Sequence, residues 1–250
     1  AEIDVVAPTR IDGRTLFEYG GFRFTLFPRQ GGYAPEVDMA DTLFRIGRNI
    51  GRMHQLAQSQ PFAHRRALSL EVWAHESREF LLSQGFIPDG LREAYDSLSR
   101  DLILRMEKIW SSRDWHFIRL HGDCHLGNIL WRDDRGVFVD FDDCVMGPAV
   151  QDIWLLLSGD RPQQISQLQE IIEGYEEFCE FDNSQFALIE TLRTLRMMYY
   201  AAWLARRWDD PAFPMHFPWF NTERYWSSHV LELREQLAAL DEEPLRLTPW

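Results

Sequence analysis

Three residues with oxygen-bearing side chains follow one another at short intervals in the middle of the sequence. Asp123 follows a His-Gly pair, Asn128 comes five residues later, and Asp140 ends the second of two apolar runs. Carboxylate and amide oxygens are the ligands that Mg²⁺ prefers, and Mg²⁺ commonly takes one or two protein groups together with waters and substrate phosphates. The three residues therefore indicate a site for a divalent cation and a phosphorylated substrate.

A turn between the two apolar runs would bring these residues together. The residues Asp-Asp-Arg-Gly at positions 133–136 separate the β-rich runs 129–131 and 137–139. Asp and Gly tolerate the backbone angles of a tight reversal, so the pattern predicts a β-hairpin. Pairing of the two runs would place Asn128, before the first strand, beside Asp140, after the second.

The same residues resemble the catalytic motif of a known family. The pattern His-Gly-Asp-x-x-x-x-Asn, followed by a strand that ends in Asp, is similar to the catalytic loop and metal-binding aspartate of the kinase-like phosphotransferases. That group includes aminoglycoside, choline and homoserine kinases. Within it, the chain resembles the bacterial stress response kinase A family over essentially its whole length. This likeness rests on residues 121–132, 147–154, 206–208, 210–214 and 245–249.

The resemblance implies a role for each oxygen-bearing residue of the motif. Asp123 would position and deprotonate the attacking hydroxyl group, while Asn128 and Asp140 would hold Mg²⁺. An amide does not repel the phosphates, and Asp140 supplies the charge that holds the cation. Asp142 is a candidate ligand for a second metal ion, because alternation along a strand would put it on the same face as Asp140. A surface position is the alternative for Asp142.

The resemblance also implies residues that support the site. His121 would anchor the catalytic loop, and Asp152 would order this loop through hydrogen bonds to its backbone. The alternative for Asp152 is an acidic residue that complements a helix N-terminus. Leu26 and Phe27 would lie at the hinge, where backbone groups pair with the adenine of ATP, although an ordinary β-edge is the other interpretation of this segment.

The fold implied by the resemblance is α+β and protein-kinase-like. Residues 1–33 would form the last strands of the small lobe and the hinge, and residues 34–250 the mostly helical large lobe with the catalytic hairpin. A kinase normally supplies a strand lysine and a Gly-rich loop to the phosphates. The only lysine is Lys108, which lies in a predicted helix, and the sequence contains neither a GxGxxG nor a GxxxxGK(S/T) motif. We therefore expect that the N-terminal part of the small lobe is missing and that this chain alone does not catalyse phosphoryl transfer.

Hydrophobic spacing predicts most of the helices of the large lobe. They are expected at residues 41–58, 69–84, 89–110, 149–157, 163–179, 184–207 and 222–240, with Asp38 or Asp41 as the first N-cap and Ser184 as a later one. His54 lies beside the apolar stripe of the first helix and is expected to be a core histidine. Three prolines between positions 211 and 218 predict an extended aromatic loop over residues 213–220.

Composition narrows the class of protein. A net charge of −13 argues against nucleic-acid binding, which needs clustered Lys and Arg. We expect a cytoplasmic protein, because the sequence contains no run of about 18 apolar residues and no secretory leader. Three cysteines without a CxxC pattern also fit a reducing compartment. We further expect a monomer. Cys124 and Cys144 flank the site, and small buried residues are a better interpretation of both than redox sensors.

Three hypotheses of function follow. The first is an ATP- and Mg²⁺-dependent phosphotransferase that moves the γ-phosphate to Ser or Thr of a protein substrate in a bacterial stress response. The second is a kinase for a small hydroxyl-bearing substrate, like the aminoglycoside, choline or homoserine kinases, and the acidic charge and the short segment between Asp142 and Pro148 favour it. The third is a non-catalytic kinase-like scaffold, suggested by the absent strand lysine and Gly-rich loop.

Overall fold

A computed structural model describes residues 3–39 and 41–247 of the chain. Contacts between residues divide them into two compact units. The first unit contains the described residues up to Arg66, the segment Phe117–Asp182 and the residues from Arg246 onward. The second unit contains Ala67–His116 and Asn183–Leu245. The lobe boundary expected after residue 33 stays a prediction.

The described strands all lie in the first unit, and helices occur in both units. The strands are β1 (Phe17–Tyr19), β2 (Phe22–Phe24), β3 (Ile118–Leu120), β4 (Ile129–Arg132), β5 (Arg135–Phe138) and β6 (Val145–Gly147). The α-helices are α1 (Thr42–Ala57), α2 (Glu76–Ser83), α3 (Asp89–Trp110), α4 (Gln151–Trp154), α5 (Arg161–Tyr175), α6 (Ile189–Arg206), α7 (Ala212–His216) and α8 (Glu223–Ala239). A π-helical turn, Glu71–His75, leads into α2, and 3₁₀ turns occupy Leu126–Asn128, Phe141–Asp143 and Asn183–Leu188.

The strands of the first unit form three antiparallel pairs, β1 with β2, β3 with β6 and β4 with β5. Single β-bridges support the β4–β5 hairpin on both sides, with Val5 beside Phe138 and Tyr33 beside Trp131. Phe138 and Trp131 are both buried. The hairpin is therefore held by earlier parts of the chain as well as by its own ladder.

Close packing of α1 against α5 forms the helical core of the first unit. The apolar stripe of α1 includes Ile46 and Ile50, and neither is accessible to solvent. At Gly47 a Cβ atom would overlap the backbone carbonyl oxygen of Ile171, and at Gly174 it would overlap that of Phe44. Only glycine allows the two backbones to approach this closely, because it has no Cβ atom. The sequence thus sets the distance between α1 and α5.

The second unit is a helical assembly with an aromatic core. α8 lies against α3, and the rings of Tyr95, Trp226 and His229 pack on one another in the interior. Arg105 of α3 pairs with Asp241 beyond the end of α8, with its Nε 2.9 Å from a carboxylate oxygen. α2 packs on α6. Burial of these large rings contributes to the stability of the second unit.

Most predicted helices are confirmed, with corrections at their ends. The helix over residues 89–110 is observed as α3, and the helix over 222–240 as α8, where the Thr222 hydroxyl accepts a hydrogen bond from the backbone N–H of Tyr225 at 3.2 Å. α5 starts two residues earlier than expected because Asp160 and Gln163 form a capping box. Asp41 occupies the predicted N-cap position of α1, although its side chain makes no capping hydrogen bond. The predicted N-cap at Ser184 is wrong, since this residue lies in a 3₁₀ turn before α6.

The prediction of an extended loop over residues 213–220 is also wrong. Residues 212–216 form the short helix α7, with Pro211 at its N-cap and Pro214 at its third position. Backbone N–H groups in the first turn of a helix have no partner within the helix, so a proline there removes no hydrogen bond. Among the described residues, no helix combines the length and the apolar character that crossing a bilayer would require.

Candidate active site

The predicted hairpin is observed, and it carries Asn128 and Asp140 at its two ends. β4 pairs with β5 so that Ile129 is opposite Phe138 and Arg132 is opposite Arg135. The two turn residues Asp133 and Asp134 have φ of 50° and 58°. This is the left-handed conformation of a two-residue type I′ turn, whose twist matches that of the strands.

The hairpin ladder extends one step towards the site. The backbone N–H of Val139 donates to the carbonyl oxygen of Asn128 at 3.0 Å. Asp140 follows Val139 and has φ of 63°, a left-handed conformation that redirects the chain after the strand. The backbone thus places Asp140 one residue beyond the partner of Asn128.

Asp123 and Asn128 are in direct contact. The Asn128 amide nitrogen Nδ2 donates to the backbone carbonyl oxygen of Asp123 at 2.9 Å and lies 3.5 Å from its carboxylate oxygen Oδ2. Asn128 is buried, whereas the Asp123 side chain remains partly accessible. Because the nitrogen end of the amide faces Asp123, the oxygen Oδ1 is the end that could bind a cation.

His125 is a second neighbour of the Asp123 carboxylate, and the sequence did not indicate this contact. Its Nδ1 accepts a hydrogen bond from the backbone N–H of Gly127 at 3.0 Å. In a neutral ring the proton then resides on Nε2, which lies 3.5 Å from Oδ2 of Asp123. His125 can therefore orient the carboxylate that the sequence assigns to the substrate hydroxyl.

Asp152 lies beneath the loop that carries Asp123. Its carboxylate accepts hydrogen bonds from the backbone N–H groups of His121 and Gly122, each at 2.8 Å. The side chain is fully buried. These are the contacts that the predicted loop-ordering role requires, and the role itself stays a prediction.

Two further side chains complete this buried network, and they come from distant parts of the chain. Nε2 of His54 lies 3.1 Å from Oδ2 of Asp152, and Nδ1 of His54 lies 3.1 Å from the hydroxyl of Tyr175. Burial is the main cause that raises the pKa of Tyr175 far above its usual value, so the phenol stays protonated. His54 is a core histidine, as the sequence indicated, but the sequence did not indicate its contact with Asp152.

His121 is buried between the loop and the hairpin. Its ring Nε2 donates to the backbone carbonyl oxygen of Val139 at 2.8 Å, and the ring packs 4.6 Å from that of Phe141. Gly122, the next residue, has φ of 89°, and a Cβ atom there would overlap the backbone carbonyl oxygen of Asp143. His121 thus contacts both ends of the site, in keeping with the anchoring role expected of it.

Asp140 and Asp142 border the same cavity, but the reason predicted for this is wrong. β5 ends at Phe138, and residues 141–143 form a 3₁₀ turn, so no strand alternation relates the two carboxylates. Both residues are exposed. Arg65 donates to the backbone carbonyl oxygen of Asp142 and holds the turn from outside.

A cavity of about 850 Å³ in the first unit lies beside these acids. Its wall includes Leu130 and Val139 of the hairpin region, with Phe27 of the predicted hinge and the adjacent Pro28. Leu26 does not line it, and its backbone carbonyl oxygen accepts from Thr9 at 2.7 Å. The volume lies within the usual range for sites that hold a small-molecule ligand or cofactor.

The donor set of the site fits Mg²⁺. Across residues 3–39 and 41–247, no three His, Cys, Asp or Glu side chains are grouped closely enough to hold a metal ion by themselves. Mg²⁺ does not need such a group, because one or two protein oxygens with waters and phosphate oxygens complete its octahedron. Asn128 and Asp140 supply an amide and a carboxylate oxygen of this kind.

The two cysteines that flank the site do not have the properties of reactive thiols. Cys124 is fully buried, and burial, together with the nearby Asp152 and Asp123, raises its pKa well above the usual value. Burial also raises the pKa of Cys144 to about 11, although Arg65 partly opposes this shift. Cys124 is therefore buried, as expected, whereas Cys144 is only partly buried.

Comparison with known proteins decides the family. The sequence model described as "APH: Phosphotransferase enzyme family" matches residues 1–189. The chain belongs to this phosphotransferase family. It is 47% identical over 248 residues to Stress response kinase A of Escherichia coli K12, a match that spans 99% of this chain and 75% of that protein. It is 44% identical, with the same coverage, to the Serine/threonine protein kinase RdoA of Salmonella typhimurium LT2.

Solved structures of kinases share the fold. Amicoumacin kinase hAmiN, in complex with AMP-PNP, Ca²⁺ and Ami, matches 98% of this chain and 74% of its own at a TM-score of 0.68 and 20% identity. Choline kinase LicA from Streptococcus pneumoniae matches 94% and 75% at a TM-score of 0.64 and 11% identity. The predicted α+β, kinase-like fold is confirmed, and the chain is related to stress response kinase A proteins, as the motifs indicated.

Proposed function

We propose that this member of the phosphotransferase family transfers the γ-phosphate of ATP to the hydroxyl group of Ser or Thr in a protein, as part of a stress response. The similarity to Stress response kinase A and to the Serine/threonine protein kinase RdoA, which extends over 99% of the chain, carries this proposal. The name of the second relative, a serine/threonine protein kinase, supports a protein acceptor. The contact between Asn128 and Asp123 provides the chemical support.

Asp123 is the proposed base and the residue that positions the acceptor hydroxyl. Phosphoryl transfer asks little covalent chemistry of the protein, so correct alignment of the hydroxyl group with the γ-phosphate is its main contribution. The Asp123 side chain is partly accessible, so an acceptor can reach its carboxylate. Asn128 fixes the orientation of Asp123 through the hydrogen bond from Nδ2 to its backbone carbonyl oxygen.

Asn128 and Asp140 are the proposed ligands of Mg²⁺, and Asp142 is the proposed ligand of a second ion. When bound, the cation neutralises charge on the phosphates of the nucleotide. The left-handed conformation at Asp140 directs the chain from the hairpin to the cavity wall. Phe27 is proposed to pack near the adenine together with Leu130, and Leu26 is the other proposed hinge residue.

His121 and Asp152 are the proposed loop-ordering residues. Asp152 accepts two backbone hydrogen bonds, which fix the peptide just before Asp123. Hydrogen bonds to a carboxylate are stronger than those between neutral groups. A catalytic loop fixed in this way needs little reorganisation when the nucleotide binds.

A small-molecule acceptor is the second candidate. The chain passes from the Asp142 turn into β6 at Val145, so there is no long segment for a protein substrate to dock on at this point. Fold similarity extends to kinases named for amicoumacin and choline. Under this alternative the same three residues act on an alcohol of a small molecule.

The decisive experiment measures transfer of labelled phosphate from ATP to peptides and proteins and, separately, to small alcohols. Asp123→Asn is expected to lower kcat by about 10²- to 10⁴-fold, the usual contribution of a positioned base, with nucleotide binding retained. Asp133→Asn, at the exposed hairpin turn, is the matched control and should leave kcat unchanged. Equal turnover by Asp123→Asn and the original protein would refute the assignment.

Substrate class is read from the same assay. Transfer to Ser or Thr of a protein supports the main proposal, and transfer only to small alcohols supports the second candidate. The assay uses this chain and any longer natural form of it, because the expectation that residues 1–250 alone do not turn over stays a prediction. Sedimentation of the same sample tests the proposed monomer.

A further inference from the structure

A groove of about 190 Å³ between α1 and the β4–β5 turn concentrates arginine in a strongly acidic chain. Arg45, Arg48 and Arg52 line it from α1, and Arg135 lines it from the hairpin. Positions 45 and 52 are seven residues apart, which is about two helical turns or about 10 Å along the axis. The four guanidinium groups therefore border one narrow space from two elements.

The charges in this groove are not all paired. Arg48 forms an ion pair with Glu177 at 2.5 Å, and Arg135 forms one with Asp4 at 2.6 Å. Arg45 instead donates to the backbone carbonyl oxygen of Asp134 at 3.3 Å, and Arg52 lies over the ring of Phe178 at 4.6 Å. Among residues 3–39 and 41–247, no carboxylate pairs with either of these two arginines.

Two acidic residues line the groove and work against anion binding there, Asp4 and Asp134. The charge of Asp4 is paired with Arg135, whereas Asp134, beside Arg45, adds one negative charge. The two arginines without carboxylate partners, Arg45 and Arg52, outweigh it. The groove thus keeps a positive balance on a chain whose net charge is −13.

The size and chemistry of the groove select the ligand. A volume of 190 Å³ holds about six water molecules, which suits a single oxyanion group rather than a whole nucleotide. Guanidinium groups bind phosphate and carboxylate oxygens in a planar, two-pronged geometry. The charge of two unpaired arginines matches a phosphate dianion, whereas a carboxylate would neutralise only one of them.

We infer that the groove formed by Arg45, Arg52 and Arg135 binds a phosphomonoester group, supplied either by a small free phosphate ester or by a phosphorylated side chain of a protein. Such an oxyanion bridges α1 and the hairpin turn. The two elements are already joined by the hydrogen bond from Asn49 Nδ2 to the carbonyl oxygen of Gly136, at 3.0 Å. An anion bound there stabilises the hairpin, whose other end carries Asn128.

The test is calorimetric titration of the intact chain with O-phosphoserine, with serine as the blank, at constant ionic strength. Each charge-assisted hydrogen bond lost typically reduces binding about tenfold or more. The variant R45Q/R52Q is therefore expected to raise the dissociation constant at least about tenfold. The control variant R224Q/R234Q removes the same charge from exposed positions on α8 and is expected to change it less than about twofold.

A second variant keeps the inference testable if R45Q/R52Q does not fold. Arg45→Gln alone changes an exposed residue and is expected to weaken phosphoserine binding by several-fold. A peptide that carries one phosphoserine identifies the source of the ligand. Equal affinity for amino acid and peptide indicates a free phosphate ester, and tenfold tighter binding of the peptide indicates a protein.

Three results would overturn the inference. They are no saturable binding of either phosphoserine probe, binding that R45Q/R52Q leaves unchanged, and equal weakening by the groove variant and the α8 variant. None of them bears on phosphoryl transfer, because no groove residue belongs to the proposed catalytic set.

Discussion

Nε2 of His54 lies 3.1 Å from Oδ2 of Asp152, and neither side chain has more than 1% of its surface exposed. The same carboxylate accepts from the backbone N–H groups of His121 and Gly122. Both carboxylate oxygens of Asp152 therefore have hydrogen-bond partners, Oδ2 with His54 and His121 and Oδ1 with Gly122. A histidine on α1 thus supports the loop that carries Asp123, and its position 98 residues before Asp152 concealed this from sequence patterns.

Replacement of His54 tests this support. His54→Leu removes one donor from a fully buried carboxylate, so we expect unfolding free energy to fall by about 1.5–3 kcal/mol. Chemical denaturation measures the change. His75→Leu is the matched control, because His75 pairs with Glu107 at a partly exposed site and its loss costs about 1 kcal/mol or less. Equal losses in the two variants would show that the buried network has no special weight.

The contact between His125 and Asp123 gives a kinetic prediction. If Asp123 is the base, His125→Ala leaves the Asp123 carboxylate free to rotate. The value of kcat should then fall by about tenfold, while KM for ATP stays unchanged. His125→Gln keeps a donor near the carboxylate and should restore part of the rate. His64→Ala, at an exposed position, is the control and should retain full activity. A rise in KM for ATP without a change in kcat would argue against positioning of the base.

The glycine contact between α1 and α5 predicts opposite effects of the same substitution. Gly47→Ala places a methyl group against the carbonyl oxygen of Ile171 and should destabilise the protein by about 1–3 kcal/mol, as overpacking does. Gly90→Ala in α3 meets nothing within 4 Å and should stabilise by about 0.5–1 kcal/mol, because alanine favours helix. Thermal unfolding of both variants measures the difference. A neutral Gly47→Ala would mean that α1 and α5 can move apart.

His229 predicts how stability depends on pH. Burial lowers the pKa of His229 to about 4, and Nε2 makes no hydrogen bond within the described part of the chain. Near pH 5 the unfolded chain, in which the pKa of His is about 6.5, binds a proton that the folded protein rejects. Stability attributable to this group is complete above pH 6.5 and is lost as pH falls towards 4, by about 3 kcal/mol in total.

The measurement is denaturant unfolding of the original protein and of His229→Phe at several pH values. Phenylalanine keeps a ring beside Tyr95 and Tyr225 but does not titrate. We expect the decline between pH 6.5 and 4 to be shallower in the variant by the amount given above. His64→Phe, at an exposed position, should leave the profile unchanged, and parallel profiles for all three proteins would contradict the prediction.

Local chemistry explains how much of the site the sequence could predict. The hairpin follows from residues 133–136, because two aspartates that accept positive φ specify a tight turn. The long helices follow from apolar spacing. Proline usually ends a helix, so the sequence does not predict α7. In the first turn of a helix, however, a proline removes no hydrogen bond. Strand alternation does not predict the turn at residues 141–143, because it extends the strand to Asp142, past the observed end of β5, although Asp142-Asp143 is itself a pair that favours turns.

Contacts between distant segments account for the rest. Gln151 donates to the carbonyl oxygen of Gly122 at 3.0 Å, and Trp154 donates to Gln151 at 3.0 Å. Both residues lie in the segment 147–154 that carries the family resemblance, but the sequence assigns a supporting role only to Asp152 there. Tyr175 reaches His54 from α5 in the same way. No spacing rule relates such pairs, because their separation along the chain depends on the intervening elements.

The tight approach of Gly122 to Asp143 limits how the enzyme can be controlled. Protein kinases that are switched on by phosphorylation of their activation segment carry an arginine at the position before the catalytic aspartate. Here a side chain at residue 122 would overlap the backbone carbonyl oxygen of Asp143 and displace the loop that carries Asp123. A phosphorylation switch of this kind would require a different backbone conformation at Gly122.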